Sequence, residues 1–120
     1  MHDHQQLRAW KASRRFVSMI YGLTRQFPDD ERFGLTTQLR RAAVSIPSNI
    51  AEGAGRSGSG RSFSQFLRIA SGSASEVETQ LQIAQDLELA TSKELLEALD
   101  QIQDIRRMLW GLEQHHSAKQ

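Results

Sequence analysis

The sequence predicts an all-α protein, folded as an antiparallel up-down-up-down four-helix bundle. Apolar residues recur every three or four positions through residues 35–53 and through the two long segments that follow. No stretch alternates apolar and polar residues between turn signals, so no strand is predicted. Amphipathic helices joined by short connections bury their apolar faces most simply against each other.

Length and composition limit the class of protein. At 120 residues the chain predicts a single domain over 1–120, and it contains no cysteine, which excludes disulfides and thiolate metal sites. No apolar run is long enough for a signal peptide or a membrane span. We therefore expect a soluble cytoplasmic protein without a membrane partner.

The first helix is predicted over about 7–26. Pro28 stops it, because proline restricts the residue before it and cannot continue a helix. Its apolar face comprises Ala9, Ser13, Phe16, Ile20, Leu23 and Phe27.

The second helix is predicted over about 36–52. Its core-facing residues are Leu39, Ala43, Ile46 and Ile50, spaced as a bundle seam requires. Pro47 lies inside this helix and removes a hydrogen bond to the Ala43 carbonyl, which predicts a kink or an early end.

The third and fourth helices are predicted over about 62–89 and 92–114. Ser62 with Gln65 and Thr91 with Glu94 form capping-box patterns at their starts. The seams continue through Leu87 in the third helix and Leu112 in the fourth, and the tail after Glu113 is expected to fray. The short connection between them predicts antiparallel neighbours.

Motifs for catalysis or metal binding are not found. The histidines His2, His4, His115 and His116 all lie near the ends, where solvation is expected, and the chain lacks the two Glu-x-x-His pairs, one on each of two helices, that a carboxylate-bridged metal bundle requires. No nucleophile-elbow or phosphate-loop pattern has the right context. We expect no enzymatic activity, no cofactor, no metal and no small-molecule substrate.

The segment ASGSAS, residues 70–75, is unusual inside a helix. Gly72 costs about 1 kcal/mol relative to alanine, so something must offset it. One explanation is a close approach of two helices at these small residues. The other is a small polar pocket near Gly72–Glu76, of a hydrolase or a ligand-binding bundle.

Basic residues concentrate in the first half of the chain, where residues 1–61 have a net charge of +5 from ten Lys/Arg and five acids. No acid occurs between Gln5 and Pro28. Two interpretations of this basic face are open. In the first, the face is solvated and pairs with acids of the last helix such as Glu97, Asp100 and Asp104. In the second, it contacts the phosphates of RNA or DNA. The candidate contacts are Arg8, Lys11, Arg14, Arg15 and Arg25, with Arg56 and Arg61 of the glycine-rich linker 54–61.

Two apolar strips lie beside the main seams of the first two helices. They predict either a wide core face or a second buried surface, and hence a homo-oligomer. The candidate interface residues are Trp10, Val17, Tyr21, Arg40, Val44, Pro47 and Ala51.

Several segments together resemble the four-helix bundle protein family whose founding members are encoded within intervening sequences of bacterial large-subunit ribosomal RNA genes. The retroelement accessory variability determinant proteins look related. The resemblance extends from Trp10 to about Leu112 and rests on Gln38–Ala42, Ser45–Pro47, Asn49–Gly53, Gly72-Ser73 and Glu76–Leu81.

The resemblance implies a ring-like homopentamer and, in the retroelement branch, nucleic-acid binding. That branch looks strongly basic, whereas this chain has a net charge of only +1. No catalytic residue is carried over. The matching residues are interpreted as structural: Arg41 and Glu52 bridge to neighbouring helices or subunits, Asn49 satisfies the carbonyl freed by Pro47, and Gly53 ends the helix. The remaining motif residues are Ser45, Gly72, Ser73 and Glu76.

The leading hypothesis is a non-enzymatic, self-assembling bundle that acts as an interaction scaffold. The alternative is an accessory protein that binds nucleic acid through the basic face of the first helix.

Overall fold

The protein is a bundle of four α-helices, as the sequence predicts. A computed structural model describes residues 7–55 and 60–117, except for the side chains of 60–62 and 117. The helices are α1 (Arg8–Thr24), α2 (Leu35–Gly55), α3 (Gly60–Asp86) and α4 (Ser92–Ser117). A short 3-10 helix, Asp29–Glu31, connects α1 to α2. No strand occurs in the described part of the chain.

The helices contact each other in the cyclic order α1, α2, α3, α4, with α4 returning to α1. One long core runs through the bundle, which measures 45 × 22 × 20 Å. The predicted seams supply it, from Phe16 and Ile20 of α1 to Ile105 and Leu109 of α4, all of them fully buried. The periodicity therefore identified most of the core-facing residues, but Ala12, Ala42 and Ala98 are also buried outside the predicted seams, and Leu112 is only half-buried.

Several helix ends differ from the prediction. Gly53 does not end α2, which continues through Pro47 as far as Gly55. The third helix begins at Gly60, so Ser62 is not its cap, and it ends at Asp86 instead of residue 89. Leu87 consequently lies in the turn and is exposed.

The turn between α3 and α4 has two well-formed ends. The Leu89 amide donates to the Ala84 carbonyl and the Glu88 amide to the Gln85 carbonyl, which is the Schellman pattern. Glu88 takes the left-handed conformation that this pattern needs, with φ at 54°. Thr91 caps α4 as predicted, since its hydroxyl accepts a hydrogen bond from the Glu94 amide at 3.3 Å.

The end of α4 is ordered where fraying was expected. The helix continues to Ser117, and His116 is buried with its ring centroid 4.4 Å from that of Phe63. Phe63 belongs to the first turns of α3, so this contact closes one end of the bundle. The expectation that all four histidines are solvated is therefore wrong for His116, while His2 and His4 lie outside the described residues.

None of the described helices combines the length and hydropathy that a membrane-spanning segment requires.

Candidate functional site

The two predicted apolar strips lie side by side along the groove between α1 and α2. Tyr21 and Val44 are exposed, whereas the other apolar members of the strips are half-buried. The helices α1 and α2 are antiparallel neighbours, and Tyr21 of α1 meets Arg40 of α2 across the groove. We call this surface the α1–α2 strip; its residues are Trp10, Val17, Tyr21, Arg40, Val44, Pro47 and Ala51.

Arg40 holds the two halves of the α1–α2 strip together. Its Nε donates to the Thr24 hydroxyl at 2.8 Å, and one terminal nitrogen donates to the Tyr21 carbonyl at 3.4 Å. Its guanidinium also lies 4.4 Å from the centroid of the Tyr21 ring, within cation–π distance. The strip therefore has a defined shape, with a cation fixed at one end.

The basic face of α1 is exposed along its length. Arg8, Lys11, Arg14 and Arg15 lie in the solvent, and Arg25 follows directly after the helix. In the described part of the chain none of these five forms an ion pair with an acid. The expected pairing with acids of α4 is not found, since Asp104 pairs with Arg107 of its own helix at 3.2 Å.

A shallow cleft of about 280 Å³ lies on this basic face. Trp10, Lys11, Arg14, Arg15 and Ser18 line it, and the Arg14 guanidinium is 5.4 Å from the centroid of the Trp10 indole. Arg56 lies outside the described residues, as does the side chain of Arg61, so the predicted contribution of the linker is not placed.

Polar residues from the matching segments meet on the other side of α2, in the groove against α3. The Ser45 and Ser73 hydroxyls are 2.8 Å apart, and the Asn49 amide nitrogen donates to the Ser45 carbonyl at 2.8 Å and to its hydroxyl at 2.9 Å. The sequence suggested that Asn49 satisfies the carbonyl of Ala43, but in the structure it does not. Its amide donates instead to Ser45, whose hydroxyl contacts Ser73 of α3.

Next to this hydroxyl pair lies a cleft of about 310 Å³. Gln38, Arg41 and Ala42 line it together with Ser45, Ser73 and Glu76. Arg41 and Glu76 carry opposite charges, yet they form no ion pair with each other. Arg41 thus does not bridge to a neighbouring helix within the described part of this chain. Glu52 is exposed on the same helix.

The two motif glycines have roles that the sequence did not assign. Gly72 is exposed, and a Cβ built on it meets nothing within 4 Å, so no helix approaches closely at Gly72 itself. Within residues 70–75, α2 is contacted by Ser73. The tighter approach occurs at Gly53. A Cβ at Gly53 would lie 2.8 Å from the Phe66 Cβ and 3.0 Å from the Phe63 ring.

Sequence reasoning missed Gln80, which is 6% exposed on α3. Its amide nitrogen donates to the Glu76 carboxylate at 3.2 Å, but its Oε1 is buried without a partner. A second missed contact joins α3 to α4, where Gln103 and Arg106 both donate to the Glu78 carboxylate. The only sign of this buried residue in the sequence is that Gln80 lies directly beside the apolar seam of α3.

Within residues 7–55 and 60–117, no three metal-ligating side chains come together.

Comparisons with known proteins agree with the architecture. A sequence model of the 23S rRNA-intervening sequence protein family matches residues 5–111. Among solved structures, the chain is similar to the crystal structure of a protein with unknown function from the S23 ribosomal protein family of Bacteroides thetaiotaomicron VPI-5482. The two share 22% sequence identity over 88% of this chain and 97% of that chain, with a TM-score of 0.77. No curated protein matches the chain.

Proposed function

The chain belongs to the 23S rRNA-intervening sequence protein family, and from that premise we propose that it is a non-enzymatic scaffold that assembles with copies of itself. The copies form a ring-like homo-oligomer, with five subunits as the family resemblance implies. The ring presents its outer surface to a macromolecular partner.

The observation that supports self-assembly is the α1–α2 strip. Trp10 and Val17 of the strip pack against the edge of the core, whereas Tyr21 and Val44 remain exposed outside it. A row of apolar side chains that stays partly exposed on two adjacent helices is typical of an interaction site. Covering it with a second copy removes that apolar surface from water, which favours association.

Replacing Val44 with aspartate tests this proposal. Val44 is 39% exposed, so the substitution leaves the core intact while placing a charge in the middle of the strip. We expect the assembly to dissociate, because a buried, unpaired carboxylate costs several kcal/mol. Size-exclusion chromatography with light scattering measures the change in mass.

Leu96→Asp is the matched control. Leu96 lies on α4, away from the strip, and is 53% exposed. We expect this variant to keep the wild-type mass. A wild-type protein that is monomeric at micromolar concentration would contradict self-assembly, and native mass spectrometry of the assembled protein would test the subunit number.

A second candidate function is nucleic-acid binding by α1. The helix carries Arg8, Lys11, Arg14 and Arg15 and no acid, and these side chains keep their charge available because none is ion-paired within the described chain. Cations in this arrangement suit the phosphate backbone of RNA or DNA.

A further inference from the structure

We propose that the α1–α2 strip of one copy packs against the groove between α2 and α3 of the next copy, so that the contact joins two different faces. This inference rests on the proposed self-assembly and adds the identity of the second face. We call that second surface the α2–α3 face; its residues are Arg41, Ser45, Ile69, Ser73, Glu76, Gln80 and Ile83.

A contact between two identical strips is disfavoured by charge. In a two-fold contact each patch meets its own copy. Arg40 lies over Tyr21 and Arg14 over Trp10, so these cations would face the same cations of the second copy. No acid on α1 is available to separate them. Like charges brought together at an interface oppose binding, so a surface that also carries a carboxylate is the better partner for the strip.

The α2–α3 face supplies apolar surface. Ile69, Ser73, Glu76, Gln80 and Ile83 recur at helical spacing along one side of α3, and Ser73 contacts α2. Ile69 is 51% exposed and Ile83 is 41% exposed, one on each side of the hydroxyl pair. Such side chains gain from burial, as the residues of the strip do.

The same face also carries an acid. Glu76 is exposed beside Arg41, and its carboxylate accepts a hydrogen bond from Gln80 but forms no ion pair within the described residues, so it can pair with a cation of the strip. A neighbouring copy that covers this face with the cations of its own strip can supply the ionic partner of Glu76.

The positions of the two faces also suit a closed assembly. In the cyclic order of the bundle, both grooves border α2, so they are separated by about a quarter of a turn. Contacts between faces a quarter of a turn apart close into a ring of about four copies, and a slightly wider angle of about 108° closes a ring of five, whereas contacts between opposite faces extend into a filament. The helix α2 then faces the centre of the ring.

A mixing experiment tests the pairing of the two faces. Val44→Asp disables the strip, and Ile69→Asp disables the α2–α3 face. We expect each variant alone to be monomeric. Mixed in equal amounts, they should form a one-to-one dimer, because the intact strip of Ile69→Asp fits the intact α2–α3 face of Val44→Asp. Light scattering and native mass spectrometry distinguish monomer, dimer and ring.

The outcomes separate this inference from self-assembly in general. A monomeric wild type contradicts both. An assembled Ile69→Asp variant contradicts only the choice of the α2–α3 face. Two monomeric variants that stay apart on mixing show that the two faces do not meet. Circular dichroism and a cooperative melt establish that each variant is folded; if Ile69→Asp is not, Ile83→Asp replaces it, and Leu96→Asp remains the control.

Discussion

At the scale of single residues, two glycines with similar sequence settings have opposite structural roles. Gly53 and Gly72 both lie within helices and within segments that carry the family resemblance. Gly53 is buried at a helix crossing where a side chain does not fit, whereas Gly72 is exposed with free space around it. Only at Gly53 does the absence of a Cβ serve packing.

Alanine at these two positions should therefore have effects of opposite sign. Gly53→Ala places a Cβ against Phe66 and Phe63, and we expect it to lower the free energy of unfolding by about 1–3 kcal/mol. Gly72→Ala should raise it by about 0.5–1 kcal/mol, since alanine is the better helix former. Urea unfolding at one fixed protein concentration measures both.

Each variant is the control for the other, because the chemical change is the same. If Gly53→Ala proved as stable as the wild type, the tight contact with Phe66 would be wrong. A destabilised Gly72→Ala would show that Gly72 faces a surface that the isolated chain leaves uncovered.

At the scale of helices and turns, the α3–α4 connection fixes where α3 ends. Glu88 takes a left-handed conformation in which glycine is the usual residue, so its backbone is strained. Leu89 packs against the core and anchors the turn from the other side.

Glu88→Gly should relieve this strain. We expect the relief of strain to raise the free energy of unfolding by about 1 kcal/mol. The larger conformational entropy of glycine in the unfolded chain offsets part of this gain. Glu97→Gly, at an exposed position inside α4, should lower it by about 1 kcal/mol. Equal destabilisation of both variants in urea would argue against the left-handed turn.

The cap of α4 is a second prediction at this scale. Thr91→Ala removes the hydroxyl that accepts from the Glu94 amide, and we expect a loss of about 1 kcal/mol. Ser92→Ala, one residue inside the helix, should change stability by a few tenths at most. Equal effects of the two substitutions in thermal unfolding would rule out a capping role for Thr91.

At the scale of the whole molecule, charge is divided between the two halves of the bundle. By sequence, α1 and α2 carry six basic side chains and one acid, a net charge of +5, whereas α3 and α4 carry five basic side chains and eight acids, a net charge of −3. The net charge of +1 for the chain conceals this division. An anionic partner therefore meets a favourable field only on the α1 side.

Nucleic-acid binding should depend on that side. Arg15→Glu reverses an exposed charge on α1, and we expect weaker binding to structured RNA and duplex DNA, with a smaller salt dependence. Lys93→Glu makes the same change of charge on α4 and should leave affinity nearly unchanged. Fluorescence anisotropy at two salt concentrations measures this, and a wild type that does not bind at low salt would exclude the function.

Patterns within the sequence were enough to place the four helices, their neighbours in the bundle and most of the residues that face the core. These features follow from local periodicity, because a helix with an apolar stripe must bury it, and a short turn leaves its two helices adjacent. The residues of the α1–α2 strip were also identified from spacing alone, although their role in assembly stays a prediction.

Packing between the helices, by contrast, sets which small residue lies at a helix crossing, which carbonyl Asn49 contacts, and where His116 and Gln80 lie. Each of these depends on the relative register and rotation of two helices. That arrangement is set by how whole side chains interdigitate across the bundle, and no spacing within a single helix contains it.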